Sequence, residues 1–357
     1  MNNTNLQQVL KLIKTLTPSE AKIVLEQLTP PQANTLHLSL FKALSMHKSN
    51  HALVCPHCGC INAKRNGTKN GNQRYLCLDC NRSFINTTNS IFYHTRKSDE
   101  NKWIEFIECM IDNLSLRKSA DKCSITLKTA FNWRHKILNS INKLFANDKI
   151  TGLIEMDDTY FGLNYKGNHS KSKNDFVLPR KAKVRGKVES KRGTSKNQVA
   201  VSTAISRNGE LLCNLISYGS PTVKELHRIY DNKIINPQQS KIIIDGWKPY
   251  ITFCNENRIV YKRLVMQNRH PGDKTPVVRG QYHLQHVNNF HSIIKDVVMN
   301  KYKGVATKHL ETYINWCKWL KLNKDVSYQK MINSLIKQCV SIDISIKNEE
   351  ISNKVIW

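Results

Sequence analysis

Apolar residues recur along this chain with two spacings, and the changes between them divide it. In residues 1–48, "LQQVLKLIKTL" and "SEAKIVLEQL" place Leu, Ile and Val three and four positions apart, the step of an amphipathic helix. Thr17-Pro18-Ser19 separates the two stretches and Pro30-Pro31 ends the second. The same step returns across 98–148. There "LSLRKSADKCSITLKTAFNWRHKIL" predicts a helix over 116–122, a turn through Cys123-Ser124-Ile125, and a second helix from Leu127 with Thr126 as its cap. From residue 150 the pattern turns to strands. "TGLIEMDDTYFG" reads as one strand, and "QVAVSTAISRNGELLCNLIS" as two, joined at Arg207-Asn208-Gly209. "TVKELHRIYDNKI" is helical, 241–244 is a β-branched strand, "KPYITFCNEN" a helix and "RIVYKRLVM" a strand. Helices follow at 283–300 and 307–322, and 323–357 is left as a C-terminal tail.

Two stretches lack any apolar period. Residues 51–95 are organised by cysteines: Cys55 and Cys58 form one C-x-x-C pair, Cys77 and Cys80 another, with 18 residues between the inner two. Four thiolates suit tetrahedral zinc, and "NGTKNGNQRYLC" between the pairs offers Asn-Gly turns and a short strand, the outline of a zinc ribbon. His57 and Cys60 read as bystanders. The second stretch, 164–196, holds eleven Lys and Arg and only two acids, so it cannot pack in a core. It is either a solvated loop or an arm laid along a nucleic-acid backbone; the arm, with Arg180, Lys181, Lys183, Arg185, Lys187, Lys191 and Arg192, is the preferred reading.

Charge sharpens the picture. The 357 residues carry 55 Lys+Arg against 27 Asp+Glu, a formal net charge of +28. That excess points to a polyanionic partner, DNA first. No apolar run reaches the ~20 residues of a membrane span. The start, "MNNTNLQQVLKLIK", lacks the pattern of a signal peptide. The expectation is a cytoplasmic, nucleoid-associated protein with no membrane partner. The two helices at 116–122 and from 127 have a helix-turn-helix outline, a DNA-binding module over 98–148. In it Lys128, Thr129, Asn132, Arg134 and His135 face DNA while Ala130, Phe131 and Ile137 pack inward. Plain scaffolding is the competing role.

The acids carry the chemistry. "IIIDGW" runs a buried strand into Asp245, which either caps the next helix or presents a metal ligand. In "IEMDDTY", Glu155 and Asp157 share a strand face and Asp158 points the other way. Asp157 is the chosen ligand, Asp158 its rival and Glu155 a helper. The element order from 150 to 322 matches the ribonuclease-H-like α/β fold, in which an acid of the first strand lies beside one ending the fourth. Two carboxylates and a third group suit Mg²⁺ (or Mn²⁺), and two such ions about 3.5–4 Å apart activate both the attacking and leaving oxygens of a phosphodiester.

The chain resembles the zinc-ribbon DDE transposases of bacterial insertion sequences, the ISXO-like group. The cysteine ribbon, "IEMDDTYFG", "IIIDGWKPY" and "HLQHVNNFHSIIKDVVMNKYKGVATKHLETYINW" carry the likeness, over roughly 50–322. The resemblance implies a DNA transposase with Zn²⁺ in the ribbon and Mg²⁺ or Mn²⁺ on Asp157, Asp245 and a third ligand. The family pattern H-x-N-x-x-E-x-x-W-S-x-x-K, aligned on His283, Phe290, Ser292 and Lys295, puts Asn288 where the glutamate stands. Lys295, two helical turns on, is implied to touch DNA at the active site. Element ends and target DNA are the implied partners, gripped by a homo-oligomer. Asn288 keeps a second reading open, a DNA-binding regulator with a decayed core; a structure-specific nuclease is a third.

Overall fold

The computed structural model describes residues 39–40, 43–44, 54–167, 197–264, 278–341 and 346–354, apart from 70, 71, 86, 89, 94 and 96. The helical expectation for 1–38 and the basic arm from 168 to 196 lie outside the described residues. Near the N-terminus, Leu40 and Leu44 are fully buried and Ser39 donates a hydrogen bond to Glu100 at 2.8 Å. This part of the expected 1–48 segment therefore docks on the body formed by residues 39–357.

Three short strands, β1 (Ala63–Lys69), β2 (Asn72–Cys77) and β3 (Ser83–Ile85), form an antiparallel sheet. Among the described residues its buried centre is Cys55, Cys77 and Phe84, with Ala63 and Tyr75 partly buried against them, a small core for a fold to rest on by itself.

Helices α1 (Glu100–Ile111), α2 (Leu116–Lys122) and α3 (Leu127–Leu144) follow. Both helices of the expected pair start at side-chain caps. The Ser115 hydroxyl accepts from the Lys118 N–H and the Thr126 hydroxyl from the Thr129 N–H. Between them Ser124 takes a φ of 51°, which turns the chain sharply.

The second sheet is mixed. Strands β4 (Leu153–Gly162), β5 (Gln198–Ser206), β6 (Leu211–Tyr218), β7 (Lys241–Ile244) and β8 (Val260–Arg263) lie in the order β6-β5-β4-β7-β8. Only β5 runs against the others, because the β4–β5 and β5–β6 pairs are antiparallel while β4–β7 and β7–β8 are parallel. One face carries Ile154, Met156, Ala200, Ile242 and Ile244 and packs on α4 (Val223–Tyr230) and α5 (Lys248–Glu256) through Leu226, Tyr230, Tyr250 and Phe253. The opposite face carries Phe161, Val199, Val201 and Ile205 and packs on α6 (Gln285–Lys295) and α7 (Thr307–Leu322). Each fully buried side chain such as Phe290 or Ile294 contributes about 1.5–3 kcal/mol by leaving water. A π-helical turn, Asp296–Lys301, ends α6.

Residues 323–357 are not a tail. Helices α8 (Tyr328–Ser341) and α9 (Asn348–Asn353) return to the helical module, α8 packing on α1 and α3 and α9 on α3. The buried residues Ile332, Leu335, Ile336 and Cys339 recur at helical steps, which explains the return. Among the described residues, no helix is long and apolar enough to cross a membrane.

Candidate functional site

Four thiols of the small sheet converge. The Sγ atoms of Cys55, Cys58, Cys77 and Cys80 all lie within 4.8 Å of one another, with Cys55–Cys80 at 3.7 Å and Cys58–Cys77 at 3.6 Å. Sulfurs placed about 2.3 Å from a zinc ion at tetrahedral corners are ~3.8 Å apart, so the set fits that ion. Backbone N–H groups support it: His57 donates to Cys55 Sγ and Cys80 to Cys77 Sγ, each at 3.4 Å. The Cys80 N–H is the main cause that brings the Cys77 thiol down to about 6, into the thiolate range. Cys60 stands 3.1 Å from both Cys58 and Cys77, closer than a bystander needs to be. The Asp79 carboxylate beside it pushes its pKa up, so it stays a protonated neighbour of the four.

The carboxylates come together through sheet register. β4 and β7 are parallel neighbours with Glu155 opposite Ile243. Asp157 follows that pair by two residues on β4 and Asp245 follows the end of β7, and the two are near enough for the charge of Asp245 to act on Asp157. Asp245 is exposed, and one of its oxygens accepts the Trp247 N–H at 2.9 Å. It does not cap α5, whose N-cap residue is Trp247. Asp157 is half-buried on the α6 side of the sheet. Burial first, then the charge of Asp245, pushes its carboxyl up to about 6, while Lys295 pulls the other way. Asp158 points to the opposite face. There Tyr250 Oη donates to it at 2.5 Å, and the Ser202 hydroxyl bonds both Tyr250 at 2.6 Å and Tyr230 at 2.8 Å. Asp158 thus ties β4 to α5, and burial pushes it up to about 7.

Residues 149–321 match the ISXO2-like transposase domain family. The chain carries an ISXO2-like transposase domain. A 125-residue stretch, 35% of the chain, is 26% identical to an uncharacterized protein in transposable element ISH50 of Halobacterium salinarum and covers 42% of it. The chain therefore spans less than half the length of that relative. No solved structure matches the chain.

Within the transposase domain, α6 is fixed against β4 by a residue expected only as a helper. Glu155 is fully buried. Its Oε2 accepts the N–H groups of His286 at 3.0 Å and Val287 at 3.2 Å, the free donors of the first turn of α6. Its Oε1 lies 2.8 Å from Arg207 and 2.7 Å from His286 Nδ1. Glu155, His283 and His286 are close enough to hold a metal ion. The positive charge at that place is the Arg207 guanidinium, which also lies 2.7 Å from His286 Nδ1. The helix starts beside Glu155 and brings His291 Nδ1 to 3.9 Å from Asp157, so it runs along β4 in the strand's own direction. Asn288 lies between those two levels, exposed, and Lys295 is exposed two turns further. His291 is itself buried; burial pushes its pKa down to about 3 and Nε2 has no hydrogen-bond partner.

The expected DNA face of the helix-turn-helix needs correction. Arg134 is 1% exposed: it donates to Leu114 O at 2.6 Å and to Ser119 Oγ at 3.3 Å, and stacks over Tyr302 at 4.8 Å. His135 is equally buried, against His309 of α7. Both are internal struts that lock α3 to its neighbours. The spacing could have shown it, since Ala130, Arg134, Ile137, Leu138 and Ile141 share one helical face. Lys128 is exposed at the start of α3, with Arg117, Lys118 and Lys122 exposed on α2, while Asn132 is half-buried. Arg180, Lys181, Lys183, Arg185, Lys187, Lys191 and Arg192 lie outside the described residues.

Proposed function

We propose that the chain is an insertion-sequence transposase that cleaves the element's ends by metal-dependent hydrolysis and joins the freed 3′-hydroxyl to target DNA. The observation that supports this reading is the parallel pairing of β4 and β7 up to Glu155 and Ile243, with Asp157 two residues beyond on β4, Asp245 just past the end of β7 and the charge of Asp245 felt at Asp157; α/β folds gather ligands at the carboxyl ends of such strands. The sheet order, with only the second strand reversed, is read as the ribonuclease-H-like arrangement. The raised pKa of Asp157 supports the same reading. Burial first and the neighbouring charge of Asp245 after it hold the Asp157 carboxyl back from ionising, and a divalent ion relieves that strain.

Asp157 and Asp245 would hold Mg²⁺ or Mn²⁺, both hard oxygen donors. Asn288 would add a neutral amide oxygen, a weaker donor than the family's glutamate. When bound, such ions activate the attacking and leaving oxygens of an in-line displacement. Glu155 holds α6, and hence Asn288 and Lys295, in place along β4. Lys295 offers its ammonium to the phosphodiester beside Asp157. The zinc ribbon and the basic face at Lys128 bind the element's ends, with the arm at 164–196 along the backbone. Two ends are joined in one reaction, so the active form is a homo-oligomer on DNA.

Asp245→Ala tests the reading with a duplex taken from the DNA flanking this reading frame. End binding persists, and cleavage and joining in Mg²⁺ or Mn²⁺ fall to background. Normal joining by the variant overturns the catalytic assignment; cutting without joining by the wild type favours a nuclease.

A further inference from the structure

Trp247 is left without work by the fold. It follows Asp245 by two residues, is 46% exposed, and makes no aromatic stack among the described residues. An indole of that size normally buries 150–250 Å². The cores on either side of the sheet leave this one in water. Its backbone is nevertheless held firmly. Gly246 turns the chain with a φ of 102°, the Trp247 N–H is bonded to Asp245 Oδ1 at 2.9 Å, and the Trp247 carbonyl accepts the Tyr250 N–H at 3.1 Å as α5 begins. Lys248, next in sequence, is also exposed. The loop after β7 thus presents, in order, a carboxylate, an exposed aromatic ring on an anchored backbone and an ammonium group.

We propose that Trp247 is a stacking platform for one nucleobase beside the phosphodiester that Asp157 and Asp245 act on, and that this base leaves the duplex to reach it. The inference rests on the transposase reading of the site. Two residues of backbone span at most about 7 Å, so the indole and the carboxylate can serve one nucleotide, the carboxylate at its phosphate and the ring at its base. Every base has a π-face, so such stacking needs no particular sequence. An enzyme that must bring a scissile phosphate down onto two aspartates gains access when the neighbouring base swings out of the stack, at the cost of unpairing it. An exposed indole on an anchored backbone recovers part of that cost. Lys248 lies where the displaced strand's phosphates would pass.

The test uses the full-length zinc-loaded protein and two duplexes covering the element's terminus, one intact and one with an abasic nucleotide next to the scissile phosphodiester. Trp247→Ala should cleave the intact duplex about 10- to 100-fold more slowly than wild type in Mn²⁺, the scale of a missing base–aromatic stack. Trp247→Phe should stay within about fivefold. On the abasic duplex, where no base has to be held, wild type and Trp247→Ala should converge. Equal rates of wild type and Trp247→Ala on the intact duplex overturn the proposal. So does an equal loss on both duplexes, which marks a structural role. A change of oligomeric state without convergence assigns the indole to a protein contact instead and also overturns it. Binding of the two duplexes in Ca²⁺ reads the same difference without cutting. A wild type that binds as described but does not cut therefore counts against Asp157 and Asp245, not against Trp247.

Discussion

The two acceptor-rich clusters of this chain are assembled in opposite ways. In the ribbon, the four thiols come from two turns close in sequence, and backbone N–H groups from the same turns aim at the sulfurs. The set is closed: its spacings already match a tetrahedral ion. In the transposase domain, Asp157 lies on one strand and Asp245 just past the end of another, with a hairpin and a helix between them in sequence, and the parallel pairing of those strands brings the two regions together. That set is open. Asp245 is exposed, and Asp157 is crowded and reluctant to ionise. A closed thiolate set is what a structural metal needs; an open, strained carboxylate pair is what a substrate-binding metal needs. The difference predicts that losing one metal costs fold and losing the other costs chemistry.

The largest effect should come from the ribbon. Structural zinc in small modules supplies roughly 10–16 kcal/mol of apparent folding free energy, and among the described residues the buried cluster there is Phe84 with two of the four thiols, Cys55 and Cys77. Cys77→Ser should therefore lose the zinc, about one ion per chain, and expose residues 55–85 to proteolysis while the transposase domain keeps its own melting transition. Cys60→Ser should keep full zinc by elemental analysis. Loss of zinc in that variant makes Cys60 a ligand in place of one of the four.

The carboxylate pair should behave in the reverse sense, with stability that depends on pH. Asp157 and Asp158 are raised from 3.8 to about 6 and about 7. The folded state thus holds protons that the unfolded chain has released. Their favourable contribution is complete below pH 3.8 and is lost as pH rises through 6 to 7. Buried His135, His291 and His309, whose pKa values burial pushes down, act in the opposite sense over the same range, so the acids are read as a difference between variants. In the metal-free protein, Asp157→Asn should gain melting temperature relative to wild type as pH rises from 5.5 to 7.5, and Mn²⁺ should raise the wild-type melting temperature most at the upper end. A pH dependence that Asp157→Asn leaves unchanged breaks the picture of a strained pair. Asn288→Glu sharpens it further: a third carboxylate should tighten Mn²⁺ binding by calorimetry and keep or raise cleavage.

Sequence pattern reached these two clusters unequally. The ribbon was readable because metal-ligand spacing is local. The pairing of Asp157 with Asp245 was readable because strand ends and element order imply it, and the strand alternation that separated Asp157 from Asp158 is the one observed, with Asp158 on Tyr250. What pattern missed was long-range. Nothing near Glu155 announces that its oxygens will cap a helix more than a hundred residues away. The residues of α8 do recur at helical steps, but only the fold shows that they cover α1 and α3. Arg134 was misread for a different reason: a charged side chain was assigned to solvent although its position lay on the apolar face of α3. One of its terminal nitrogens bonds the Leu114 carbonyl and the Ser119 hydroxyl and the group lies over the Tyr302 ring, while its buried Nε has no hydrogen-bond partner among the described residues.

That last distinction gives the smallest and most discriminating test. Arg134 and Lys128 lie on the same helix, one inside and one outside. Arg134→Ala removes a buried charged donor and leaves the half-buried Leu114 carbonyl without its partner, so it should cost about 1.5–3 kcal/mol in chemical denaturation. Its effect on DNA affinity should be slight at temperatures where the variant is folded. Lys128→Ala should change stability by less than about 0.5 kcal/mol. It should instead weaken binding similarly across DNA sequences and lower the slope of log affinity against log salt by about 1, because one fewer phosphate is neutralised. A reversed pattern, with Arg134→Ala changing the salt slope and Lys128→Ala the stability, would require α3 to leave its packing against α7 and turn its inner face to DNA.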